Sequence, residues 1–319
     1  MRLSVVISTR NRAKGMQGVL DAFAGMEVPK DISWELLIVN NGSSDRTGRV
    51  LAMEKSRNRL PLRILSQPVP GKCRSVNAAL AVVTGDPVIL SDDDMTPCRA
   101  WLATYAKAAR ERPEVSGFTG RIHPVWEREP PQWMQTDGPY AVPEGVTNRR
   151  DYGELECLLS KEEIPGGGNT ALRKSVFELL GGFREDMGPG TRIPFAEDTE
   201  FFTRYLRAGG RFCYLPGACM NHFNAAERLT KPYVAQWVRQ AGYCQIVAFK
   251  ALNSGAMIRG IPRYLLLQSM HRLMSWWLEP LRVRRFHKKL RFMHTLGEIQ
   301  GYVERKRSKA CGELLPAST

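Results

Sequence analysis

The sequence predicts an α/β protein whose central sheet is mostly parallel and flanked by helices. Three observations in the first hundred residues indicate this class. Short apolar runs of strand length alternate with helical patterns, the links between them are short, and polar residues follow the apolar runs. Parallel strands joined by crossover helices produce this alternation, because each helix must pack back onto the sheet.

The predicted strands of this region are largely apolar, which is typical of parallel strands buried on both faces. Four such runs occupy residues 3–9, 34–39, 62–66 and 87–90. Apolar residues at helical spacing predict three helices, at residues 11–23, 47–55 and 78–83. Residues 70–77 are predicted to form the link that leads into the third of these helices.

After residue 100 the pattern is less regular but still mixes helices and strands. Helices are predicted at residues 101–112 and 174–180 and from residue 195 onward, and strands at 115–122 and 211–215. Two consecutive glycines predict the end of the helix at residue 180. Residues 123–150 are rich in Pro, Trp and Gly with little periodicity, which predicts a long surface loop.

Length and composition exclude several classes of protein. The 319 residues are enough for one large domain or for a domain with an appendage, and 43% hydrophobic residues are ordinary for a globular chain. The seven cysteines show no CxxC pairing, which argues against a disulfide framework and a structural zinc site. We expect a cytoplasmic protein, since neither a signal peptide nor a membrane-spanning apolar run is apparent.

The excess positive charge is concentrated near the C-terminus. The formal net charge is +14, and residues 259–309 contain 13 basic and 3 acidic residues, so this segment contributes 13 − 3 = +10. The body of the chain is therefore close to balanced, and the basic character belongs to an appendage.

Three consecutive carboxylates, Asp92, Asp93 and Asp94, follow the fourth apolar run. In parallel sheets, ligands bind beyond the carboxyl ends of the strands, and polar residues from two other strand ends converge there. Hard oxygen ligands suit Mg²⁺ or Mn²⁺, and a metal held by one or two carboxylates keeps positions free for phosphate oxygens. A solvated acidic turn is the alternative interpretation of the same three residues.

Three later motifs are each ambiguous when taken alone. The glycine run before Asn169 lets backbone approach a ligand closely, but it also suits a tight turn before a strand. Glu197 and Asp198 open a predicted helix, where acids also stabilise the helix dipole. His222 lies in a polar cluster with Arg228 and could be a metal ligand or an ordinary structural histidine.

Taken together and in order, six segments resemble the family 2 glycosyltransferases of the GT-A fold over about residues 1–225. The segments are residues 5–12 (VVISTRNR), 38–47 (IVNNGSSDRT), 71–77 (GKCRSVN), 91–94 (SDDD), 167–169 (GGN) and 197–198 (ED). The resemblance implies a Rossmann-like GT-A domain at residues 1–230, followed by a helical extension at 231–319. It also implies an inverting enzyme that moves a sugar from a nucleotide diphosphate donor to an acceptor hydroxyl with Mg²⁺ or Mn²⁺.

The resemblance assigns the donor site residue by residue. Thr9 and Arg10 would line the nucleotide pocket, and Arg74 and Asn77 would lie near the diphosphate and base. Asn40 stands where the family usually has a base-reading aspartate, and its amide could suit another base; UDP is the first choice, ahead of GDP and dTDP. The first carboxylate of the acidic motif, Asp92, would lie near ribose or sugar, and its neighbour Asp93 is counted with the donor site.

The same resemblance assigns the chemistry. Asp94 would bind the metal, which neutralises the departing diphosphate as a Lewis acid. Asp198, with Glu197 beside it, would take the proton of the acceptor hydroxyl, since a partly buried acid near another acid has a raised pKa. Asn169 would contact the sugar or acceptor. His222 and Arg228 resemble late residues that some relatives place on metal and diphosphate.

Two further expectations concern partners. Trp, Leu and basic residues at helical spacing in residues 261–297 favour a surface-lying amphipathic helix at an anionic membrane, where a lipid-linked or saccharide acceptor for polysaccharide or glycolipid synthesis could be met. This places the enzyme at the cytoplasmic face of the inner membrane. A helix packed on the body with solvated charges is the alternative, and nucleic acid is not the expected partner.

Two other functions remain open at this level. A nucleotidyltransferase would share the sheet and the metal carboxylates, but residues 8–12 are not the glycine-rich phosphate loop expected after its first strand. A non-catalytic module that binds a nucleotide sugar or metal would not need the base at Asp198.

Overall fold

The structure is a computed structural model, and it describes residues 1–249 and 256–310. Its strands, in chain order, are β1 (Arg2–Thr9), β2 (Ser33–Asn41), β3 (Leu62–Gln67), β4 (Val88–Asp92), β5 (Met95–Pro97), β6 (Gly117–Trp126), β7 (Cys157–Leu158), β8 (Asn169–Leu172), β9 (Phe212–Asn224), β10 (Met257–Ile258) and β11 (Ile261–Pro262). The last two form a small antiparallel hairpin.

The helices are α1 (Ala13–Ala24), α2 (Thr47–Arg57), α3 (Lys72–Leu80), α4 (Trp101–Glu111), α5 (Glu144–Thr147), α6 (Lys174–Leu180), α7 (Glu197–Arg207), α8 (Lys231–Cys244), α9 (Arg263–Trp277) and α10 (Arg282–Ala310). A 3₁₀ turn covers Ala226–Leu229, and a π-helical turn, Gln245–Phe249, follows α8. The periodic sequence of residues 233–252 also predicts a helix, and its last residues, 250–252, lie outside the described residues.

Nine of the strands form one mixed sheet. Its order is β3-β2-β1-β4-β8-β6-β9-β5, and β7 pairs with β9. Strands β1 to β4 are parallel neighbours, whereas β8 pairs antiparallel with β4 and β6, and β5 pairs antiparallel with β9. The predicted α/β class, with helices on a largely parallel N-terminal half, is therefore confirmed.

Alternate residues of the parallel strands enter two separate cores, one on each face of the sheet. In β1, Val5 and Ile7 pack with helices α1 and α4, while Val6 packs with α3 and α7. All three side chains are at most 1% exposed. This two-sided burial explains why the N-terminal strands have no polar alternation in the sequence.

Two segments differ from their prediction in a way that matters for the site. Helix α3 begins at Lys72, six residues earlier than predicted, because Pro70 and Gly71 end the preceding turn and nothing after them opposes a helix. Strand β9 continues to Asn224, nine residues beyond its predicted end, although Pro216 and Gly217 interrupt the apolar pattern. Both changes move polar motif residues from loops onto regular structure.

Residues 123–150 form an irregular segment between Trp126 and Glu144, as their composition predicts, but the segment is not wholly on the surface. Strand β6 continues to Trp126, and the side chains of Met134, Val142 and Val146 are buried in a small core with α8 and Leu290. The apolar residues of this segment are separated by prolines and glycines at irregular intervals. Their burial therefore leaves no periodic pattern in the sequence.

The chain divides into two compact units. The first consists of residues 1–125, 148–191 and 197–223, and the second of residues 126–147, 192–196 and 224–319. In the second unit α8 and α10 approach closely at glycines: a Cβ at Gly242 or Gly297 would overlap backbone atoms of the opposite helix. The predicted division of the chain after residue 230 stays a prediction.

Two observations concern the cellular setting. Cys73, Cys98, Cys157, Cys213, Cys219 and Cys244, which are the cysteines in the described part of the chain, are all free thiols. Over the same residues, no helix combines the length and the apolar character needed to cross a bilayer.

A buried carboxylate joins β2 to its surroundings. Glu35 accepts hydrogen bonds from the Ser4 hydroxyl at 2.6 Å and from the backbone and hydroxyl of Thr84 at 2.7 Å each, and it pairs with Arg63. Burial alone would raise the pKa of Glu35, but these donors outweigh it and lower the pKa to about 2.

We therefore expect Glu35→Gln to lower the free energy of unfolding by about 2 kcal/mol at neutral pH, since a charged acceptor of several hydrogen bonds is lost. Because the folded pKa is depressed, this stabilisation is present above the unfolded pKa of about 4.5 and is lost as pH falls toward about 2. Urea unfolding at neutral and acidic pH measures the difference. Glu27→Gln, at an exposed ion pair with Arg99, is the control and should change stability by less than about 0.5 kcal/mol.

Candidate active site

The ends of three parallel strands lie side by side at one edge of the sheet. In the register, Thr9 of β1 is opposite Asn40 of β2, and Ser8 is opposite Asp92 of β4. Since these strands run in the same direction, their carboxyl ends bring all three polar segments to the same edge. The convergence inferred from the sequence is present in the structure.

Hydrogen bonds between the turns that follow β1 and β2 hold this edge in shape. Asn11 has a φ of 53°, and its side-chain oxygen accepts a hydrogen bond from the backbone of Ser44 at 2.9 Å. The backbone of Arg12 donates to the hydroxyl of Thr47 at 2.8 Å. In the next turn, Asn40 accepts from the backbone of Ser43 at 3.2 Å. The two bonds between the turns keep them at a fixed separation, and the third stabilises the turn that follows β2.

Lys72 is the first residue of α3, and its ammonium group faces three carboxylates. The Nζ atom lies 2.8 Å from Asp92 Oδ1, 3.1 Å from Glu197 Oε1 and 3.9 Å from Asp198 Oδ2. The helix is placed there by Asn41, at the end of β2, whose side-chain oxygen accepts a hydrogen bond from the backbone of Gly71 at 3.0 Å. Acids from distant parts of the chain thus meet around one cation.

Two glycines make room for these carboxylates. A Cβ at Gly167 would overlap the carboxylate of Asp198, and a Cβ at Gly168 would lie 2.6 Å from Asp92 Oδ2. The glycine run therefore serves a close approach of side chains to backbone, one of the two interpretations that the sequence allowed.

The other two acids of the acidic motif, Asp93 and Asp94, pair with a different cation, Arg12. Arg12 Nε lies 2.9 Å from Asp93 Oδ1, and its Nη2 atom lies 2.7 Å from Asp94 Oδ2. The other oxygen of Asp94 lies 3.4 Å from Nε2 of His222 on β9, and the second imidazole nitrogen faces the Asn148 amide at 3.5 Å. The antiparallel pairing of β5 with β9 produces this contact, since Met95 is directly opposite His222.

The charges in the cleft shift several pKa values. Burial raises the pKa of Asp198 to about 7, with Glu197 acting in the same direction and Lys72 opposing it. Burial alone would raise the pKa of Asp92, but the attraction and hydrogen bond of Lys72, together with His222 and Arg12, lower it. The pKa of Lys72 itself is held well above its usual value, because the carboxylates outweigh burial, which alone would lower it. Burial raises the pKa of Asp93.

A cavity of about 20 Å³ remains between these side chains, which is space for about one water molecule. The lining combines apolar residues of the sheet and α3 with the charged groups described above: Val6, Lys72, Cys73, Val76, Leu90, Ser91, Asp92, Gly167, Phe183, Glu197 and Asp198.

Two predicted donor-site residues lie together on one side of α3. Arg74 Nε lies 3.0 Å from Glu185 Oε2, and the amide of Asn77 bonds both the backbone oxygen of Phe183 at 2.9 Å and Glu185 at 3.4 Å. Thr9 is buried at the end of β1, and Arg10 next to it is exposed.

Two other predicted residues have surroundings that the sequence did not indicate. Asn169 is fully buried, and its side chain accepts hydrogen bonds from Trp101 and Tyr105 and donates to the backbone of Arg121 and Ala218, at 2.8 to 2.9 Å. The polar side-chain atoms of Asn169 are thus used in hydrogen bonds within the protein, and its predicted contact with sugar or acceptor stays a prediction. Arg228 belongs to the second unit, where it donates to Asn224 at 3.4 Å.

Sequence reasoning missed Lys72 and Arg12, although both lie inside the quoted motifs. Both could have been found from the sequence, because each is a basic residue that directly follows a turn at the sheet edge, next to acids that need a partner charge. Metal binding was expected at Asp94 and His222. Within residues 1–249 and 256–310, no three or more His, Cys, Asp or Glu side chains are arranged to hold a metal ion, so that expectation rests on this pair.

Comparisons with known proteins add to this geometry. The family model described as Glycosyl transferase family 2 matches residues 4–181. A pre-mycofactocin glycosyltransferase of Mycobacterium tuberculosis is 27% identical over 224 residues, which is 69% of this chain and 42% of that protein. The succinoglycan biosynthesis protein ExoM of Rhizobium meliloti is 25% identical over 241 residues, 74% of this chain and 71% of that protein.

Among solved structures, the chain resembles the mannosyltransferase PcManGT from Pyrobaculum calidifontis, described in complex with GDP-Man and Mn²⁺. The TM-score is 0.54 at 18% sequence identity, over 98% of this chain and 76% of that one. At this identity the likeness establishes the fold. The chain spans less than half the length of the mycobacterial relative.

The meeting of one ammonium with three carboxylates leads to a prediction about stability. Lys72→Met should lower the free energy of unfolding by about 3 kcal/mol at about pH 8, because the three acids lose a partly buried partner. The loss should shrink at about pH 5.5, where Asp198, whose folded pKa is raised, takes up a proton and relieves the repulsion. Urea unfolding at both pH values measures this difference.

The matched control is Arg74→Met, two residues further along α3. The side chains of Arg74 and Glu185 are 37% and 44% exposed, so their ion pair should contribute less than about 1 kcal/mol at either pH. Equal losses for Lys72→Met at the two pH values would contradict the assigned role of Lys72.

Proposed function

The chain belongs to glycosyl transferase family 2, and we propose that it moves a sugar from a nucleotide diphosphate sugar to an acceptor hydroxyl with inversion at the anomeric carbon. The observation that carries the proposal is the meeting of Asp92 from β4 with Glu197 and Asp198 from α7 around Lys72. It joins the predicted donor motif to the predicted base in one cleft at the carboxyl edge of the sheet.

Asp198 is the proposed base. A carboxylate with a pKa of about 7 is partly deprotonated at neutral pH and is basic enough to take a proton from a hydroxyl as that oxygen attacks. In a single displacement, the acceptor oxygen bonds to the anomeric carbon, the bond from that carbon to the diphosphate breaks, and the proton goes to Asp198. Glu197 supports this role by raising the pKa of its neighbour.

A divalent cation is proposed at Asp94 and His222. Their Oδ1 and Nε2 atoms, 3.4 Å apart, form a carboxylate and imidazole donor pair that suits Mn²⁺ or Mg²⁺ and would keep other positions for phosphate oxygens. Bound there, the ion would neutralise the charge that develops on the leaving diphosphate. The Mn²⁺ described with the mannosyltransferase neighbour supports the choice of metal.

The nucleotide is proposed to bind along the edge formed by Thr9, Arg10 and Asn40, with Arg74 and Asn77 nearby on α3. UDP remains the first choice. GDP and dTDP are alternatives, because Asn40 offers an amide instead of a carboxylate and the mannosyltransferase neighbour is described with GDP-Man. A role for Arg228 at the diphosphate is part of the same proposal.

The acceptor is proposed to be a saccharide or a lipid-linked saccharide, in the synthesis of a cell-surface polysaccharide or glycolipid. The rhizobial relative, described as a succinoglycan biosynthesis protein, supports this class of pathway. A lipid-linked acceptor would be met at an anionic membrane surface, so peripheral attachment at the cytoplasmic face is included in the proposal.

The first test identifies nucleotide and metal together. In a thermal-shift experiment with UDP, GDP and dTDP, the correct nucleotide should raise the melting temperature with Mn²⁺ and much less without it. At a ligand concentration 100 times Kd, the native state gains about 2.7 kcal/mol. Asp94→Asn should abolish the response to Mn²⁺, while Asp31→Asn, at an exposed ion pair with Arg110, should keep it. Equal responses to the nucleotide with and without Mn²⁺ would refute the metal site.

The second test concerns the base. Asp198→Asn keeps the size of the side chain but cannot accept the proton, so kcat should fall on the order of 10³-fold while donor binding is retained. In the wild type, kcat/KM should rise through about pH 7 as Asp198 loses its proton. Initial rates across this pH range, with donor and acceptor saccharide, provide the measurement.

Glu197→Gln is the matched comparison, since it changes the neighbouring carboxylate that also faces Lys72. It should lower kcat less than Asp198→Asn and keep a rise of kcat/KM with pH, shifted to lower pH because the charge that raises the pKa of Asp198 is lost. If Asp198→Asn transfers sugar as fast as the wild type, the chain is a binding module or uses another base.

A further inference from the structure

Helix α9 has one face that packs against α10 within the second unit. Leu265 on this face is fully buried, and Trp276 contacts the ring of Phe292 with centroids 5.7 Å apart. Arg272 donates to the backbone oxygen of Arg291 at 3.1 Å and to the hydroxyl of Thr295 at 2.5 Å. This contact accounts for the stability of the helix.

The opposite face is apolar and exposed. Its residues follow one another at intervals of one, three or four positions and continue past the end of the helix, and we call them the outer row. They are Leu267, Met270, Met274, Trp277, Leu278 and Leu281, with exposed fractions of 57%, 62%, 59%, 73%, 65% and 53%.

This arrangement inverts the usual pattern of a surface helix. A helix that packs on a protein with one face normally presents polar and charged residues to water on the other. Here Leu, Met and Trp side chains occupy the water-facing side, although single exposed apolar residues elsewhere would need no explanation. A contiguous row of six indicates that this face meets an apolar surface.

The charges beside the outer row are positive. Arg263 at the start of α9 and Arg282, Arg284 and Arg285 at the start of α10 are exposed. The acid closest to them in sequence, Glu279, is 9% exposed and pairs with Lys288 at 2.6 Å. Among the described residues of α9 and the start of α10, no exposed acid accompanies these arginines. An apolar row with guanidinium groups at both ends matches a surface that is apolar inside and anionic at its boundary.

We infer that the outer row and these four arginines form a docking surface for an anionic lipid bilayer. The apolar side chains would enter the boundary between headgroups and acyl chains, and the arginines would pair with headgroup phosphates. Trp277 is the most exposed member, and Trp is a residue favoured at that boundary. This inference rests on the peripheral attachment proposed above and names the surface that would make that attachment. It is independent of the transfer chemistry.

A second copy of the chain fits this surface less well. In a two-fold symmetric pair the same patch meets itself, so the arginines that border one outer row would lie near those of the other. No exposed acid described beside the row could offset that repulsion. Lipid phosphates offer both the apolar interior and the opposite charge.

The test is flotation of the purified full-length chain with vesicles. It should float with mixed phosphatidylcholine and phosphatidylglycerol vesicles and much less with phosphatidylcholine alone. Met274→Glu with Trp277→Glu should abolish flotation, and Arg284→Glu with Arg285→Glu should lower the bound fraction on the order of tenfold. Leu155→Glu, whose side chain is 80% exposed in the first unit, is the control and should float like the wild type.

Absence of flotation for the wild type, or equal loss with Leu155→Glu, would overturn the inference. So would a native dimer that Met274→Glu with Trp277→Glu converts to monomers while vesicle binding is unchanged, as measured by light scattering. Circular dichroism melting curves verify that each variant is folded. The nucleotide thermal shift of the same variants should be unchanged, so that failure of the lipid surface and failure of the transferase proposal are distinguishable.

Discussion

The structure of the cleft depends on the ammonium group of Lys72. Asp92, Glu197 and Asp198 come from elements far apart in the chain, and three carboxylates in a partly buried space repel one another unless a cation offsets them. Lys72 provides this charge from the first residue of α3, and Arg12 does the same for Asp93 and Asp94. The acidic edge of the sheet is thus stabilised as a set of ion pairs before any ligand is considered.

Two acids of the cleft differ in their pKa. Lys72, in direct contact with Asp92, helps to lower the pKa of that acid against the effect of burial, whereas burial and the neighbouring Glu197 raise the pKa of Asp198 to about 7. One carboxylate therefore stays ionised, and the other exchanges its proton near neutral pH. This difference between neighbouring acids is what acid–base catalysis requires.

The parallel strands and the polar residues at their carboxyl ends could be predicted from the sequence, because the patterns that indicate them are local. Continuous apolar runs such as β1 identify parallel strands, and their order places Thr9, Asn40 and Asp92 at one edge without knowledge of the rest of the fold. Contacts between residues far apart in the chain could not be predicted from such local patterns. The pairing of Lys72 with Glu197 and the enclosure of Asn169 by Trp101 and Tyr105 leave no periodic pattern.

Gly167 and Gly168 limit how this site can change over evolution. Any side chain at these positions would collide with Asp198 or Asp92, so a mutation in this loop displaces the carboxylates that we propose for the transfer reaction. If that proposal holds, changes of sugar preference are expected in segments that do not touch these acids, and the glycine loop stays constant among relatives that keep both carboxylates.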